Sequence, residues 1–132
     1  MGIPVYWRLQ LKNTTGATSS STASTVKMKR WKPGSSGEVD HEASETTALS
    51  QASITSGGYA SGTAYDNDSS AGFHGGDFAV KIVNGASAGY YELRLQISTD
   101  GGTTWPDNGK GIPTWVGYVG ASATLNDVFQ IA

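Results

Sequence analysis

A strand that runs directly into a glycine turn is the feature that most constrains the fold of this chain. Residues 91–97, Tyr-Glu-Leu-Arg-Leu-Gln-Ile, alternate between apolar and polar side chains, as a strand with one buried face does. Asp100, Gly101 and Gly102 follow, and adjacent glycines adopt the positive φ angles of a tight turn at little steric cost. We therefore expect the strand to continue into an antiparallel β-hairpin.

The other side chains of this turn have predicted structural roles. The Asp100 carboxylate can accept hydrogen bonds from backbone N–H groups of the turn, and the Trp105 ring can fold beneath it as an apolar anchor. With Ser98 and Thr104 they complete the pattern S-x-D-x-G-x-T-W over residues 98–105. This pattern resembles the Asp-box of sialidases and other β-propeller proteins, which implies a structural hairpin remote from any active site.

The Asp-box resemblance covers eight residues and occurs once in the chain. A propeller repeats such a unit in several four-stranded blades, which requires far more than 132 residues. The arginines of the chain are Arg8, Arg30 and Arg94, and their spacing does not group them as a sialidase site would require. The motif therefore carries over as an element of the fold, and no enzymatic activity is expected.

Further strands are predicted along the whole chain. Alternating runs occur at 4–12, 25–31, 77–83, 90–97, 113–119 and 123–131. Residues 43–54 fit a strand or a short helix, and their β-branched residues favour the strand. In the first run, Val5 and Trp7 share a face with Leu9 and Leu11. Six to eight strands without a convincing helix predict an all-β fold, a single-domain antiparallel β-sandwich over residues 1–132. A small closed β-barrel is the alternative.

Two long polar segments separate the predicted strands. Residues 13–25 are rich in Ser and Thr, and we expect either a loop or an extended arm that lies on a neighbouring molecule. Residues 56–76 are rich in Gly and Ser with isolated aromatic residues, which predicts a long ordered loop containing one short strand.

Composition narrows the classes of partner. Charged residues make up 15% of the chain, against roughly 25% in typical soluble domains, and the net charge is −2. Neither nucleic acid nor a membrane surface is therefore favoured as a partner. The chain contains no cysteine, which excludes disulfides and thiolate metal sites. The first residues do not resemble a signal peptide, so we expect synthesis in a cytoplasm.

Few residues suit catalysis or metal binding. His41 lies between two acidic residues and is expected in a solvated acidic turn, and His74 is expected to be a packing or hydrogen-bonding residue. Residues 66–69 begin like a calcium loop but lack its downstream ligands, so an Asx-type turn is predicted. No catalytic residue, cofactor or metal site is predicted.

The strand at 25–31 combines basic and aromatic residues. Four of the nine basic residues of the chain lie in or beside it: Lys27, Lys29, Arg30 and Lys32. Such a strand can bind single-stranded nucleic acid or an acidic protein, and the acidic residues at 38–45 favour the protein because they weaken the positive field. Trp31, Tyr90 and Trp115 are predicted to be exposed, as an interface or a sugar-stacking platform. The predicted interface consists of Lys27, Lys29, Arg30, Trp31, Tyr90 and Trp115.

As a whole the chain resembles the small accessory structural proteins of tailed bacteriophage virions. The likeness is carried by a cysteine-free β-rich chain with Ser/Thr/Gly loops and by the strand and turn at 93–106. It implies a virion component without enzymatic activity, either a capsid decoration protein or a tail component such as a tube, adaptor or fibre-associated protein. Its partners would be the major capsid or tail protein and copies of itself, with surface glycans as further ligands. A carbohydrate-binding β-sandwich module is the alternative class.

Overall fold

A computed structural model of the protein describes residues 6–67 and 72–132, which form ten β-strands and no helix. The strands are β1 (Tyr6–Asn13), β2 (Ser24–Pro33), β3 (Val39–His41), β4 (Thr46–Gln51), β5 (Tyr59–Ser61), β6 (Tyr65–Asp66), β7 (Gly75–Val83), β8 (Gly89–Ile97), β9 (Ile112–Val119) and β10 (Thr124–Ile131). Val5 of the first predicted strand and residues 68–69 of the predicted Asx-type turn lie outside the described residues. Within those residues, no helix is long and apolar enough to cross a bilayer.

The strands form two antiparallel sheets that pack face to face. Sheet A has the order β5-β1-β8-β9, and β6 also pairs with β1. Sheet B has the order β10-β7-β2-β3, and β4 also pairs with β2. The two sheets do not close into a barrel. The predicted all-β sandwich is therefore confirmed, and the barrel alternative is wrong.

The core consists of the alternate side chains that point between the two sheets. Sheet A contributes Trp7, Leu9, Leu11, Tyr91, Leu93 and Leu95, and sheet B contributes Val26, Met28, Phe78, Val80 and Ile82. None of these side chains is more than 2% exposed. Full burial of such a side chain contributes about 1.5–3 kcal/mol, so this layer is the main source of stability.

The strand predictions are close for the second half of the chain. The runs at 77–83, 90–97, 113–119 and 123–131 are found as β7, β8, β9 and β10. Residues 39–41, expected in an acidic turn, instead form β3 along β2. The described part of the 56–76 segment contains two short strands, β5 and β6, where one was predicted, because both pair with the free edge of β1.

The Ser/Thr-rich segment at 13–25 is a loop that packs against its own sandwich. Asn13, Thr15 and Ser19 are at most 6% exposed. The Asn13 side-chain amide donates to the Ala17 and Ile54 carbonyls at 2.9 Å each, and the Ser19 N–H donates to Ile54 at 2.8 Å. Of the two expected arrangements, the loop is therefore the one observed, and the segment does not extend away as an arm.

Candidate interaction surfaces

The turn at 98–105 is held together by hydrogen bonds between its own side chains and backbone. The Ser98 hydroxyl donates to Asp100 Oδ1 at 2.8 Å and accepts from the Gly102 N–H at 2.9 Å. Asp100 Oδ1 also accepts from the Thr104 N–H at 2.8 Å. Gly101 and Gly102 have φ angles of 72° and 88°, a conformation that strains residues with a Cβ. The acceptor role of Asp100 and the positive φ angles of the two glycines are as the sequence predicts, whereas the hydrogen bonds of the Ser98 hydroxyl were not predicted.

The same hydrogen bonds make Asp100 an unusually strong acid. The Thr104 hydroxyl, the Thr104 N–H and the Ser98 hydroxyl all stabilise the charged carboxylate, and they lower the pKa of Asp100 from 3.8 to about 2. Because the Asp100 side chain is exposed to solvent, the shift comes from hydrogen bonding and not from burial.

The turn begins a long connection and not a tight hairpin. Residues 98–111 join β8 to β9, which is close to the interval left between the predicted strands at 90–97 and 113–119. The partly buried Trp105 lies against β1, where the Arg8 guanidinium is 4.5 Å from the centre of its ring. The connection therefore folds back over the outer face of sheet A.

Two glutamines hold this connection against the sheet. Gln10 on β1 and Gln96 on β8 are 2% and 0% exposed, although both face away from the core. Gln96 Nε2 donates to the Lys110 carbonyl at 3.3 Å. Gln10 Oε1 accepts from the Gly109 N–H at 3.0 Å, and Gln10 Nε2 donates to Asn108 Oδ1 at 2.9 Å. We call Gln10 and Gln96 the glutamine clamp. Their burial was not predicted from the sequence, because polar residues at alternate strand positions indicate a solvent-exposed face.

The other half of the outer face of sheet A is open and apolar. Tyr90, Val116 and Tyr118 are 55%, 59% and 57% exposed. Tyr90 lies opposite Tyr118 in the β8–β9 register, with ring centres 5.3 Å apart and ring planes at 69°. We call these three residues the tyrosine surface. It lies along β9, which is an edge strand of the sheet.

Trp115 was predicted to be exposed and is buried. It pairs with the core residue Leu93 in the β8–β9 register, so its side chain also points between the sheets, and it is 8% exposed. Its indole N–H donates to Asp127 Oδ2 at 2.8 Å. Trp31 lies on sheet B, whereas Tyr90 lies on the outer face of sheet A. The three aromatic residues therefore do not form the predicted common platform.

Arg30 was predicted at the interface but forms an ion pair that is largely shielded from solvent. Its side chain is 13% exposed, and Nη2 and Nε donate to the two carboxylate oxygens of Glu42 at 2.6 and 3.0 Å. The guanidinium also lies 4.4 Å from the centre of the Phe73 ring. Burial opposes ionisation of Glu42, but the hydrogen bonds and charge of Arg30 outweigh it and lower the pKa of Glu42. Glu42 is therefore not part of a solvated acidic turn.

Lys27 and Lys29 are exposed on the outer face of sheet B, as the alternation of β2 predicts. Lys27 forms an ion pair with Glu45 at 3.2 Å. Trp31, further along the same face, is partly exposed and lies opposite Gly75 of β7. A Cβ at Gly75 would collide with the Trp31 ring, so the glycine lets the indole lie flat on the sheet.

The histidines and Asn67 take part in local contacts. His41 Nε2 lies 3.2 Å from Asp77 Oδ2 on the outer face of sheet B, and the backbone N–H of the exposed His74 donates to the Trp31 carbonyl. The Asn67 side chain accepts from the Phe73 N–H at 3.0 Å and donates to its carbonyl at 2.7 Å. No group of three or more His, Asp or Glu residues in the described part of the chain could hold a metal ion.

The structure thus divides the predicted interface between two faces and the interior. Tyr90 lies on the outer face of sheet A; Lys27, Lys29 and Trp31 lie on the outer face of sheet B; Arg30 and Trp115 are turned inward. Comparison of the chain with models of known protein families, with curated proteins and with solved structures finds no match. A functional proposal therefore starts from the exposed surfaces and from the resemblance in sequence.

Proposed function

We propose that the chain is a non-enzymatic structural protein of a virion, a capsid decoration protein that binds the particle in repeated copies. The observation that carries this proposal is the tyrosine surface, where three apolar or aromatic side chains are each more than half exposed on one sheet face. Contiguous exposed apolar residues mark interaction sites, and tyrosine is enriched at the energetic centres of protein interfaces.

The surroundings of the tyrosine surface have the polar rim that protein interfaces share. In the next row across sheet A, Lys12 lies opposite Glu92, and Glu92 lies opposite Val116. An apolar centre with charged residues beside it matches the usual division of an interface into core and rim. A contact of this modest size gains affinity when symmetry repeats it over many copies, which suits a protein that covers a lattice.

The assignment to the virion proteins rests on the resemblance in sequence. If the chain is a tail component instead of a decoration protein, it would bind through the same tyrosine surface. A carbohydrate-binding module would need aromatic rings that lie in one plane to stack on a sugar. The rings of Tyr90 and Tyr118 are inclined at 69°, and Trp31 lies on the other sheet. This geometry favours a protein partner over a glycan.

Co-sedimentation with purified capsids and tails of the phage that encodes the chain tests the proposal, with light scattering to measure the mass of the free protein. We expect the protein to sediment with capsids and the double variant Tyr90→Ser/Tyr118→Ser to remain in the supernatant. Val39→Ser is the matched control, because Val39 is 56% exposed but lies on sheet B.

Two results would decide against a decoration protein, and a third would rule out the proposed contact surface. Sedimentation with tails alone would make the chain a tail component. Selective retention on a polysaccharide resin without particle binding would favour the carbohydrate module. Equal particle binding by the wild type and the tyrosine variant would remove the tyrosine surface from the proposal.

A further inference from the structure

Most edges of the two sheets carry a feature that prevents pairing with another chain. An open strand edge exposes backbone N–H and C=O groups, and natural proteins protect it by short length, charge, proline or coverage. Here β3, β5 and β6 have only two or three residues each. The edge of β4 is covered, because the Ala48 carbonyl accepts from the Thr63 N–H at 3.0 Å. On β10, Asp127 lies opposite the core residue Val80 and is an inward-pointing charge.

The edge of β9 lacks such protection over residues 115–119. This stretch, Trp-Val-Gly-Tyr-Val, contains neither a charged residue nor a proline, and Pro113 precedes it. The irregularity in the β8–β9 register also lies before it. Within residues 6–67 and 72–132, β8 is the only strand that pairs with β9. The other side of β9 is therefore open to a further strand.

The backbone groups that face this open side belong to Val116 and Tyr118. The Thr14 N–H donates to the Tyr90 carbonyl at 3.0 Å, so the backbone groups of Tyr90 face β1. Successive residues of a strand direct their backbone groups to alternate sides. The residue after Tyr90 therefore faces β9 and bonds to Gly117, which lies opposite it. The N–H and C=O groups of Val116 and Tyr118 then point away from β8.

We infer that β9 pairs with β9 of a second copy of this chain, antiparallel and around a two-fold axis at Gly117. Val116 of each copy then lies opposite Tyr118 of the other, and the two such pairs exchange four hydrogen bonds in all. Moving the axis by one residue would require Thr114 or Gly120. Thr114 has no opposite residue in the β8–β9 register, and the Gly120 carbonyl is already bonded within the turn after β9.

The surroundings of β9 are compatible with a second copy of the same chain. Asp127 is the charged residue beside the inner face of β9, where it accepts from the Trp115 indole at 2.8 Å. The axis places the two Trp115 residues about 13 Å apart along the strand direction, so the two carboxylates do not meet. On the outer face, Glu92 lies 3.7 Å from Arg94 and is balanced by it. The pairing closes after two copies and joins their tyrosine surfaces into one area.

Sedimentation equilibrium of the free protein, from micromolar to submillimolar concentration, tests the inference. We expect the mass to rise from 13.7 kDa towards twice that value. Val116→Pro removes the outward N–H, and with it two of the four hydrogen bonds, so it should weaken dimerisation about tenfold or more. The variant should stay folded, because proline is tolerated on an edge strand where the N–H faces solvent. Val116→Thr keeps the N–H and the branched shape and should dimerise like the wild type.

A cysteine cross-link tests the register without the proline variant. The chain has no cysteine, so Val116→Cys and Tyr118→Cys each introduce a single thiol. With oxidised glutathione, a mixture of the two should give the mixed disulfide dimer, identified by its intact mass, because opposite Cα atoms are about 5.5 Å apart. Either variant alone should cross-link much less, because identical residues are diagonal neighbours about 7–8 Å apart.

Four results would overturn the inference. They are a mass of 13.7 kDa at every concentration, equal dimerisation of Val116→Pro and the wild type, equal loss in Val116→Pro and Val116→Thr, and equal cross-linking in the mixture and in the single variants. The inference concerns the free protein and does not rest on the proposed virion role. Since these measurements use no capsids or tails, their failure is distinguishable from a failure of particle binding.

Discussion

Gln96 Nε2 lies 3.3 Å from Gln10 Oε1 across the neighbouring strands β8 and β1. Both side chains point away from the core, yet the connection at 98–111 covers them almost completely. Their amides bond to the backbone of that connection and to each other. A long loop without secondary structure is in this way fixed by two polar residues, while the tyrosine surface on the same sheet stays open.

Replacing Gln96 with alanine is expected to release the connection at 98–111. The change removes the side-chain donor to the partly buried Pro106 and Lys110 carbonyls, and the loss of such a hydrogen bond costs about 1–3 kcal/mol per group. Urea unfolding should show this loss, and hydrogen exchange at residues 106–110 should become faster. Gln51→Ala is the control, because Gln51 is exposed on β4 and its loss should change stability by less than about 0.5 kcal/mol. Equal effects of the two changes would contradict a clamping role.

Asp100 is expected to make the stability of the protein depend on pH in acid. Its pKa in the folded protein is about 2, below the reference value of 3.8, so ionised Asp100 favours the folded state above pH 3.8. This contribution is lost as the pH falls from 3.8 towards 2. Asp100→Asn should therefore be less stable than the wild type at pH 7, and the difference should shrink across that window.

Urea unfolding of both proteins at pH 7, 4, 3 and 2 measures this dependence. Asp107→Asn is the control, since Asp107 is exposed in the same connection and takes no part in the hydrogen bonds of the turn. A constant difference between wild type and Asp100→Asn at all four pH values would show that the Asp100 charge does not stabilise the turn.

Trp105→Ala is expected to lower the melting temperature. The variant loses the contact between the ring and Arg8 and the burial of part of the ring. Together these contribute about 1–2 kcal/mol to the free energy of unfolding. Trp105→Phe keeps a ring above Arg8 and should recover part of the loss. Thermal unfolding followed by circular dichroism provides the measurement, and an unchanged melting temperature in the alanine variant would refute the anchoring role.

Asn13→Ala is expected to destabilise the end of the sandwich where residues 13–25 pack. Asn13 is 0% exposed, and its loss would leave the Ala17 and Ile54 carbonyls without this donor. We expect a loss of about 2 kcal/mol or more in chemical denaturation. Thr22→Ala, at an exposed position of the same segment, should have little effect. If the two variants were equally stable, the segment would not be fixed by Asn13.

The sequence predicts the strands well where one side of a strand is apolar and the other polar. At residues 113–119 the sequence predicts the strand but not its buried face, because both sides of the strand carry apolar or aromatic residues. Trp115 and Val119 face the core, while Val116 and Tyr118 face solvent. The alternation alone does not show which set is buried, and only the pairing of Trp115 with Leu93 decides it. The buried position of Trp115 therefore could not be predicted from its own strand.

The sequence by itself determined the all-β class, most of the strands and the hydrogen-bonded turn at 98–105. These features depend on residues that are close together in the chain. The strands follow from the alternation of apolar and polar residues, and the turn follows from the conformational freedom of adjacent glycines. The tertiary structure alone decided that Arg30 pairs with Glu42, that Gln10 and Gln96 are covered, and that Trp115 is buried. Each of these depends on which distant segment lies over a given sheet face, and local patterns of polarity carry no information about that.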